Sequence, residues 1–510
     1  MENCGGRDIC GSRRVCGLPD RREASMKTEE MHSYLKVIDD TAKQLDALAD
    51  TIWACHETAF TEVKSVQALE TFFQQQGFSV QDHAYDVPTA FTASFGSGKP
   101  RIGILGEFDA LSGLDQEAGV VEKCAEHPGG NGHGCGHNLL GTASAAAALA
   151  VKAYLEAGHP GTVIYYGCPG EEGGSGKAFM AREGAFQDLD AALTWHPATL
   201  NMVCKDSSLA NFQVLYSFKG KSAHAAACPE LGRSALDALE LMNVGVQFLR
   251  EHMPQEARIH YAVIDTGGYS PNVVQAEAKA IYLIRAPKLG QAKQLYERVD
   301  KIAKGAAMMT ETEVESQLIK SCADLVSNRV LEGVLYDAMN EVGVPAYTEE
   351  EYEKAAAYTK TTPDGGKAMY DKLVADHLIP ENTAFLKAHR EDRIYDFVVP
   401  YEPIHIVRQG GGSTDVGDVS YQCPTAQINT ATWAPGTPGH SWQVVSQGKS
   451  SQAHKGMLFA GKSIALAALK LFADPELLVK AKAEFDEAMN GEAYVPIPKE
   501  IKPHALTDFH

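Results

Sequence analysis

A chain of 510 residues is too long for one ordinary hydrophobic core, so at least two domains are expected. Its 44% hydrophobic and 22% charged residues are those of a globular protein, and no apolar run approaches membrane-spanning length. The 66 acidic against 46 basic residues, a net charge of −20, exclude the broad basic surface that nucleic acid or an anionic membrane requires.

Three of the eleven cysteines, Cys4, Cys10 and Cys16, fall in a Gly/Arg/Cys-rich opening that lacks the apolar core of a secretory signal. Residues 1–25 read as a disordered extension, with Met26 opening the first domain. The other cysteines are scattered singly, as in a reducing cytoplasm. Helical spacing runs over 28–56 (Met31, Leu35, Ile38, Leu45, Leu48, Ile52) and again over 63–76, closed by Gly77. A buried strand is expected at 101–108, an alanine-rich helix at 139–155, and strands at 162–168 and 189–195. Strands alternating with helices imply an α/β layer around a largely parallel sheet.

From 210 to 320 the rhythm changes to strand 212–218, helix 233–250, strands 258–264 and 274–284, helix 291–308 and strand 312–318. That order, βαββαβ, is the order of a ferredoxin-like unit, here inserted into the α/β layer. The α/β pattern resumes at 330–342 and continues in a strand at 424–429 and a long helix at 451–472. The polar, Ala/Lys-rich stretch 345–400 is expected to be a helical surface insertion. The domains are therefore expected at 26–209 and 321–485 (one catalytic domain in two parts) and 210–320, with 486–510 a tail.

Chemistry concentrates in Gly132-His133-Gly134-Cys135-Gly136-His137-Asn138 and in Glu171-Glu172, which stands in a glycine-rich turn after a strand. Thiolate, imidazole and carboxylate are the donors that borderline first-row metals prefer. Glycines let the backbone bend so that Cys135 and His137 converge, and a second glutamate offers a general base for water. Taken alone, Cys135 would be a small buried hydrophobe, and adjacent glutamates a solvated face. His196, after an apolar strand, and His440, in the turn GTPGHSW, suit ligands on loops, although a lone histidine is more often structural. Asp109, in GEFDAL, would be a ligand, an orienter of a ligating histidine, or simply a turn cap. Asp109, Glu171-Glu172 and His196 each follow a strand, so they can meet at one sheet edge. In the inserted unit, His224 (KSAHAA), Asn272 (SPNVV) and Arg285 (YLIRAP) are groups suited to gripping a carbonyl or carboxylate.

Together these motifs resemble the metal-dependent amidohydrolases and aminoacylases of the M20 peptidase family. The resemblance runs through ILGEFDAL, GNGHGCGHNLLGTA, YGCPGEEGGSGKAFM, ALTWHP, FKGKSAHAA, LGRSALDALELM, SPNVVQAEA, YLIRAP, GSTDVGDVSYQ and GTPGHSWQVVSQG. It covers about residues 34 to 475, leaving out the N-terminal extension and 345–400. Asn138, where Asp commonly follows the histidine, and GEFDAL depart from the wider pattern. The resemblance implies a zinc-peptidase-like catalytic domain with an inserted dimerisation lid, and two divalent metal ions, Mn2+ or Zn2+ (the donor set also admits cobalt). Cys135, His137, Glu172, His196 and His440 would be the ligands and Glu171 the base. His224 would act across a dimer on the substrate carbonyl, and Asn272 and Arg285 would hold a substrate carboxylate. The expected reaction is hydrolysis of the amide joining an aromatic acyl group, p-aminobenzoyl, to glutamate, as in a folate breakdown product. Alternatives are a broader dipeptidase or aminoacylase, or a subunit that depends on a partner. The expected assembly is a homodimer or a hetero-oligomer with a related subunit, in the cytoplasm.

Overall fold

The computed structural model describes residues 21–403 and 412–505. In chain order, helices α1 (Arg21–Asp40), α2 (Ala42–Cys55) and α3 (Val63–Gln75) lead into strands β1 (Ser79–Gln81), β2 (Phe91–Ser97) and β3 (Arg101–Glu107). Next come α4 (His137–Glu156), β4 (Gly161–Cys168), α5 (Gly176–Arg182), β5 (Ala191–Ala198) and β6 (Met202–Cys204). The middle of the chain holds β7 (Ala210–Lys219), α6 (Ala235–Leu249), β8 (Arg258–Asp265), β9 (Glu277–Ala286), α7 (Leu289–Thr310) and β10 (Glu313–Cys322). Then follow α8 (Arg329–Val342), α9 (Glu349–Thr359), α10 (Lys367–Ala375), α11 (Pro380–Ala388) and α12 (Val416–Ser420). Strand β11 (Thr425–Ala431) and helices α13 (Trp442–Gln447), α14 (Ser451–Ala473) and α15 (Pro475–Met489) close the chain.

Seven strands form the larger sheet in the order β1-β2-β4-β3-β5-β11-β6. Its centre, β4-β3-β5-β11, is parallel; β1, β2 and β6 pair antiparallel at the edges. The chain is therefore α/β, as its alternation of periods implies. Side chains alternate across the sheet, so Ile102 and Ile104 enter the core under α4 and α14, while Leu105 faces Phe179 of α5 and Val416 of α12. The run Ala145–Ala148 in α4 is fully buried, and such small side chains let α14 approach closely. A Cβ at Gly461 of α14 would stand 3.0 Å from the Ala143 carbonyl oxygen.

The second sheet has the order β10-β7-β9-β8 and is antiparallel throughout. With α6 and α7 packed on it, the run β7-α6-β8-β9-α7-β10 has ferredoxin-like topology. Its core is the alternate set Ala278, Ala280, Tyr282, Ile284 and Ala286 of β9, against Leu239 and Met242 of α6 and Leu295 and Val299 of α7.

Four expectations need correction. The helical stretch 28–56 is two helices, α1 and α2, which part at Thr41, whose hydroxyl donates to the Val37 carbonyl at 2.6 Å. Helix α1 begins at Arg21, before Met26; the rest of the expected extension, 1–20, lies outside the described residues. Strands β1, β2 and β6 lie outside those expectations: β1 and β6 are three-residue strands at the sheet edges, too short to show a period, while β2, paired on both sides, alternates Phe91, Ala93 and Phe95 with small polar residues and glycine. Among the described residues one helix, α14, is long and apolar enough to cross a membrane, contrary to the reading of the hydropathy. It is mostly buried against α4, α8 and the sheet, so protein, not lipid, surrounds its apolar face.

The stretch 345–400 carries α9 to α11, and its inner side is packed. Thr348 caps α9 reciprocally with Glu351, while Thr359 and Tyr358 reach the segments before and after His440. The Tyr358 and Ser446 hydroxyls share a 2.7 Å hydrogen bond, and the Thr359 hydroxyl donates to Pro435 O at 2.9 Å. Two glycine turns then meet: a Cβ at Gly366, where φ is +78°, would stand 2.3 Å from Gly436 Cα. Gly366→Ala should destabilise the protein by about 2–3 kcal/mol, because backbone must move. Gly98→Ala, with φ +79° but open space around it, isolates the strain of the left-handed conformation at about 1 kcal/mol. Thermal midpoints of the two variants test this, and equal shifts would refute the contact.

Candidate active site

Parallel strands bring the reactive groups to one edge. Beyond the end of β3 lies Asp109, beyond β4 the turn with Glu171 and Glu172, and late in β5 His196, inside the strand and not at its end as expected. His137 is the first residue of α4, and Gly136 before it has φ +75°, open to glycine at little cost. A Cβ at Gly132 would strike the Leu114 carbonyl oxygen at 2.4 Å, so the glycine frame lets this loop fold tightly beneath Cys135. His440 enters from the far half of the chain, its N–H donating to Gly134 O at 2.9 Å.

Donor atoms of Cys135, His137 and His196 lie within 4.8 Å of one another, and so do those of Cys135, Glu172 and His440. Cys135 is common to both groups. Its Sγ is 3.2 Å from His196 Nε2, and Glu172 Oε1 is 3.1 Å from His440 Nε2. Asp109 Oδ1 accepts from His137 Nδ1 at 2.8 Å and Oδ2 accepts from the Glu172 N–H at 2.9 Å. Of the roles open to Asp109, the geometry favours the orienter. His196 Nδ1 faces the Pro197 carbonyl at 2.7 Å. Those contacts turn Nε2 of both rings toward the cluster.

These donors fit a metal. His137 Nε2 and Glu172 Oε1 are buried without a well-formed hydrogen bond, although each faces other donors of the cluster. Burying such atoms unpaired is costly, and a cation held in each group of donors would remove the cost. Burial raises the Cys135 thiol, while at His137 burial is outweighed by Cys135, Asp109 and Glu107, which raise it well above its usual value, so a bound cation would displace a proton from each. Burial, with Glu107, Glu172 and Asp415 close by, pushes the Glu171 carboxyl well above its usual range. Burial also tends to raise Glu172, but the His440 imidazole 3.1 Å away and the neighbouring His137 outweigh it and hold this carboxyl at about 2. Burial, helped by His137, lowers His196 to about 4, so its ring is neutral and free to ligate.

Sequence reading missed a layer below the ligands. Lys177 is fully buried, its Nζ 2.6 Å from Glu107 Oε1 and 2.6 Å from Asp415 Oδ1. Glu107 Oε2 reaches to 3.2 Å from His137 Nε2. Glu62 is buried too, accepting from Thr89 Oγ1 and from Gly170 N–H in the turn before Glu171. Burial and then Asp109 push Glu62 up to about 8. The only local signal was a charged residue inside an apolar or glycine-rich motif. Asn138 stands outside the cluster: its amide donates to Ala49 O and Gly448 O, tying α4 to α2.

His224, Asn272 and Arg285 are not joined to the cluster by any hydrogen bond or ion pair among the described residues. His224 and Asn272 are exposed neighbours on two loops of the second sheet, with Ala225 N–H donating to Asn272 O at 3.0 Å. Arg285 lies late in β9, half-buried, opposite Asn211 and Arg258.

Residues 103–355 match the profile of peptidase family M20/M25/M40. Over 93% of its length the chain is 47% identical to a p-aminobenzoyl-glutamate hydrolase subunit of Escherichia coli (strain K12), all of which is covered. The chain belongs to the M20 peptidase family. It is thus a hydrolase acting on amide bonds. Among other M20-like relatives, Homo sapiens Xaa-Arg dipeptidase is 28% identical over 90% of this chain and 92% of its own. A Bacillus subtilis structure, described as a dinuclear metal binding peptidase from the M20 family, superposes with a TM-score of 0.50 at 15% identity. That match covers 84% of this chain and 99% of the other, and it speaks for the M20 fold.

The ring of a ligating histidine is fixed by what its other nitrogen bonds. Asp109→Asn should weaken metal affinity about 10- to 100-fold, read by competition with a chelator; unchanged affinity would remove Asp109 from the site.

Proposed function

We propose that this chain hydrolyses the amide bond of p-aminobenzoyl-glutamate, releasing p-aminobenzoate and glutamate. The observation that carries this reading is the thiol of Cys135 shared by two groups of donors, with the spare carboxylate of Glu171 beside them. The 47% identity to the E. coli hydrolase, spread over the whole of that relative, supports the substrate. Cys135, His137 and His196 would hold one divalent cation, and Cys135, Glu172 and His440 the other. Bound there, Mn2+ or Zn2+ would acidify water and polarise the scissile carbonyl.

The chain's own groups do the rest. Asp109 keeps the His137 ring and the Glu172 backbone in place. Glu171 takes a proton from the attacking water on a carboxylate oxygen and returns it to the departing glutamate nitrogen. Asn272 and Arg285 hold the substrate carboxylates, and His224 supports the carbonyl from a second copy's inserted unit. That unit acts as the dimerisation lid, which agrees with the exposed position of His224.

Purified chain loaded with Mn2+, Zn2+ or Co2+ is assayed on p-aminobenzoyl-glutamate beside a panel of acyl amino acids and dipeptides. Preference for p-aminobenzoyl-glutamate supports the reading, while faster cleavage of dipeptides overturns the substrate in favour of a broader dipeptidase. A second reading has one observation behind it: the E. coli relative is one subunit of its hydrolase, which implies another. Activity that arises only when a related subunit is added would favour a hetero-oligomer over the homodimer.

A further inference from the structure

A lysine buried among carboxylates needs a reason. Stability is a weak one, because replacing a buried ion pair by apolar residues of similar size is often neutral or stabilising. Lys177 is nonetheless held at both ends: Nζ by Glu107 and Asp415, and its backbone N–H by Asp415 Oδ2 at 2.9 Å. Asp415 thus fastens the start of α5, six residues after Glu171, to the far half of the chain. The other end of the network is the informative one. Atoms of Glu107, His137 and Glu171 lie within 4.8 Å of one another, so Glu107 is near enough to act as a ligand itself.

We propose that Lys177 is a positioning residue: by holding Glu107 Oε1 it fixes where the other oxygen, Oε2, stands, 3.2 Å from His137 Nε2, and stops that carboxylate from turning further to close on a cation held at His137. The space beside Glu171 then stays open for water. A further anionic donor there would fill a coordination position and reduce the cation's pull on water and carbonyl. Lys177 touches no reacting atom and works wholly through Glu107. This inference rests on the ligand set proposed above and adds to it the reason for the buried charge beneath.

The test compares wild type, Lys177→Met and the double variant Glu107→Gln/Lys177→Met, each loaded with Co2+. Metal per chain, the visible cobalt spectrum, kcat and KM are measured. Lys177→Met is expected to keep its cobalt, show weaker d–d bands as coordination number rises, and lose about 100-fold in kcat with KM within about threefold. The double variant is expected to regain the wild-type spectrum and about tenfold or more of the lost kcat, since a neutral amide is a poorer ligand than carboxylate. A merely structural lysine gives no such rescue, because the double variant removes more of the same network. A wild-type spectrum and kcat in Lys177→Met, or no rescue in the double variant, overturns the proposal. Should Lys177→Met not fold, the double variant, with one buried charge fewer, is compared with wild type directly, and an altered spectrum overturns it. Wild-type protein that takes up no cobalt overturns the ligand set and this role together. A loaded wild type beside an unaffected Lys177→Met overturns this role alone.

Discussion

Glu171→Gln is expected to leave both cations bound and to lower kcat on p-aminobenzoyl-glutamate by about 10²- to 10⁴-fold, the usual contribution of a positioned general base. The carboxylate and the amide have the same shape, so the turn of residues 169–175 should keep its fold, with Gly170 still held by Glu62. KM should stay within a few-fold, because the lost interaction exists chiefly in the transition state. Elemental analysis and steady-state kinetics on one preparation decide the matter. Near-normal turnover, or loss of metal in parallel with activity, would take the base role from Glu171.

Cys135→Ala should have the larger effect on metal content. Its sulfur belongs to both donor groups, so its removal leaves His137 and His196 on one side and Glu172 and His440 on the other. Two donors rarely hold a first-row divalent ion against water. Both sites are therefore expected to weaken together, with activity lost at any ordinary metal concentration. His440→Ala should weaken one site and spare the other, since His440 belongs to a single group. Metal stoichiometry after dialysis, compared across the two variants, tests the shared thiol. A Cys135→Ala protein that retains one full equivalent would show that the sulfur serves one cation only.

Much of this site was legible from local pattern. Glycines around Cys135 and His137 announce a backbone bent for a purpose, and Glu171-Glu172 stand where charged residues have no solvated helix face to occupy. The strand periods around Asp109 and His196 already placed them at one sheet edge. The layer beneath was not legible. Lys177 meets Glu107 from 70 residues away and Asp415 from 238, and nothing near any of them signals the others. Asp109 illustrates the boundary: its neighbourhood allowed ligand, orienter or cap, and only the fold brings it to 2.8 Å from His137. The apolar run of α14 shows the same limit, since hydropathy registers the need for burial but not whether lipid or protein meets it.

The alternation of helical and strand periods and the α/β and βαββαβ orders it implies follow from local spacing, and the glycine-framed motifs mark side chains of the kind that metals seek. Those are properties of neighbours along the chain, felt within a turn or a strand. Which carboxylate binds, which one carries a proton and which one is restrained by a lysine depend on burial and on charges a few ångströms away. Those neighbours come from β3, β4, α5 and the 412–415 turn, and only the packing of the sheet against its helices puts them within reach. Electrostatic energy falls with distance in space and takes no account of separation in sequence, so the chemistry of this site belongs to the folded molecule.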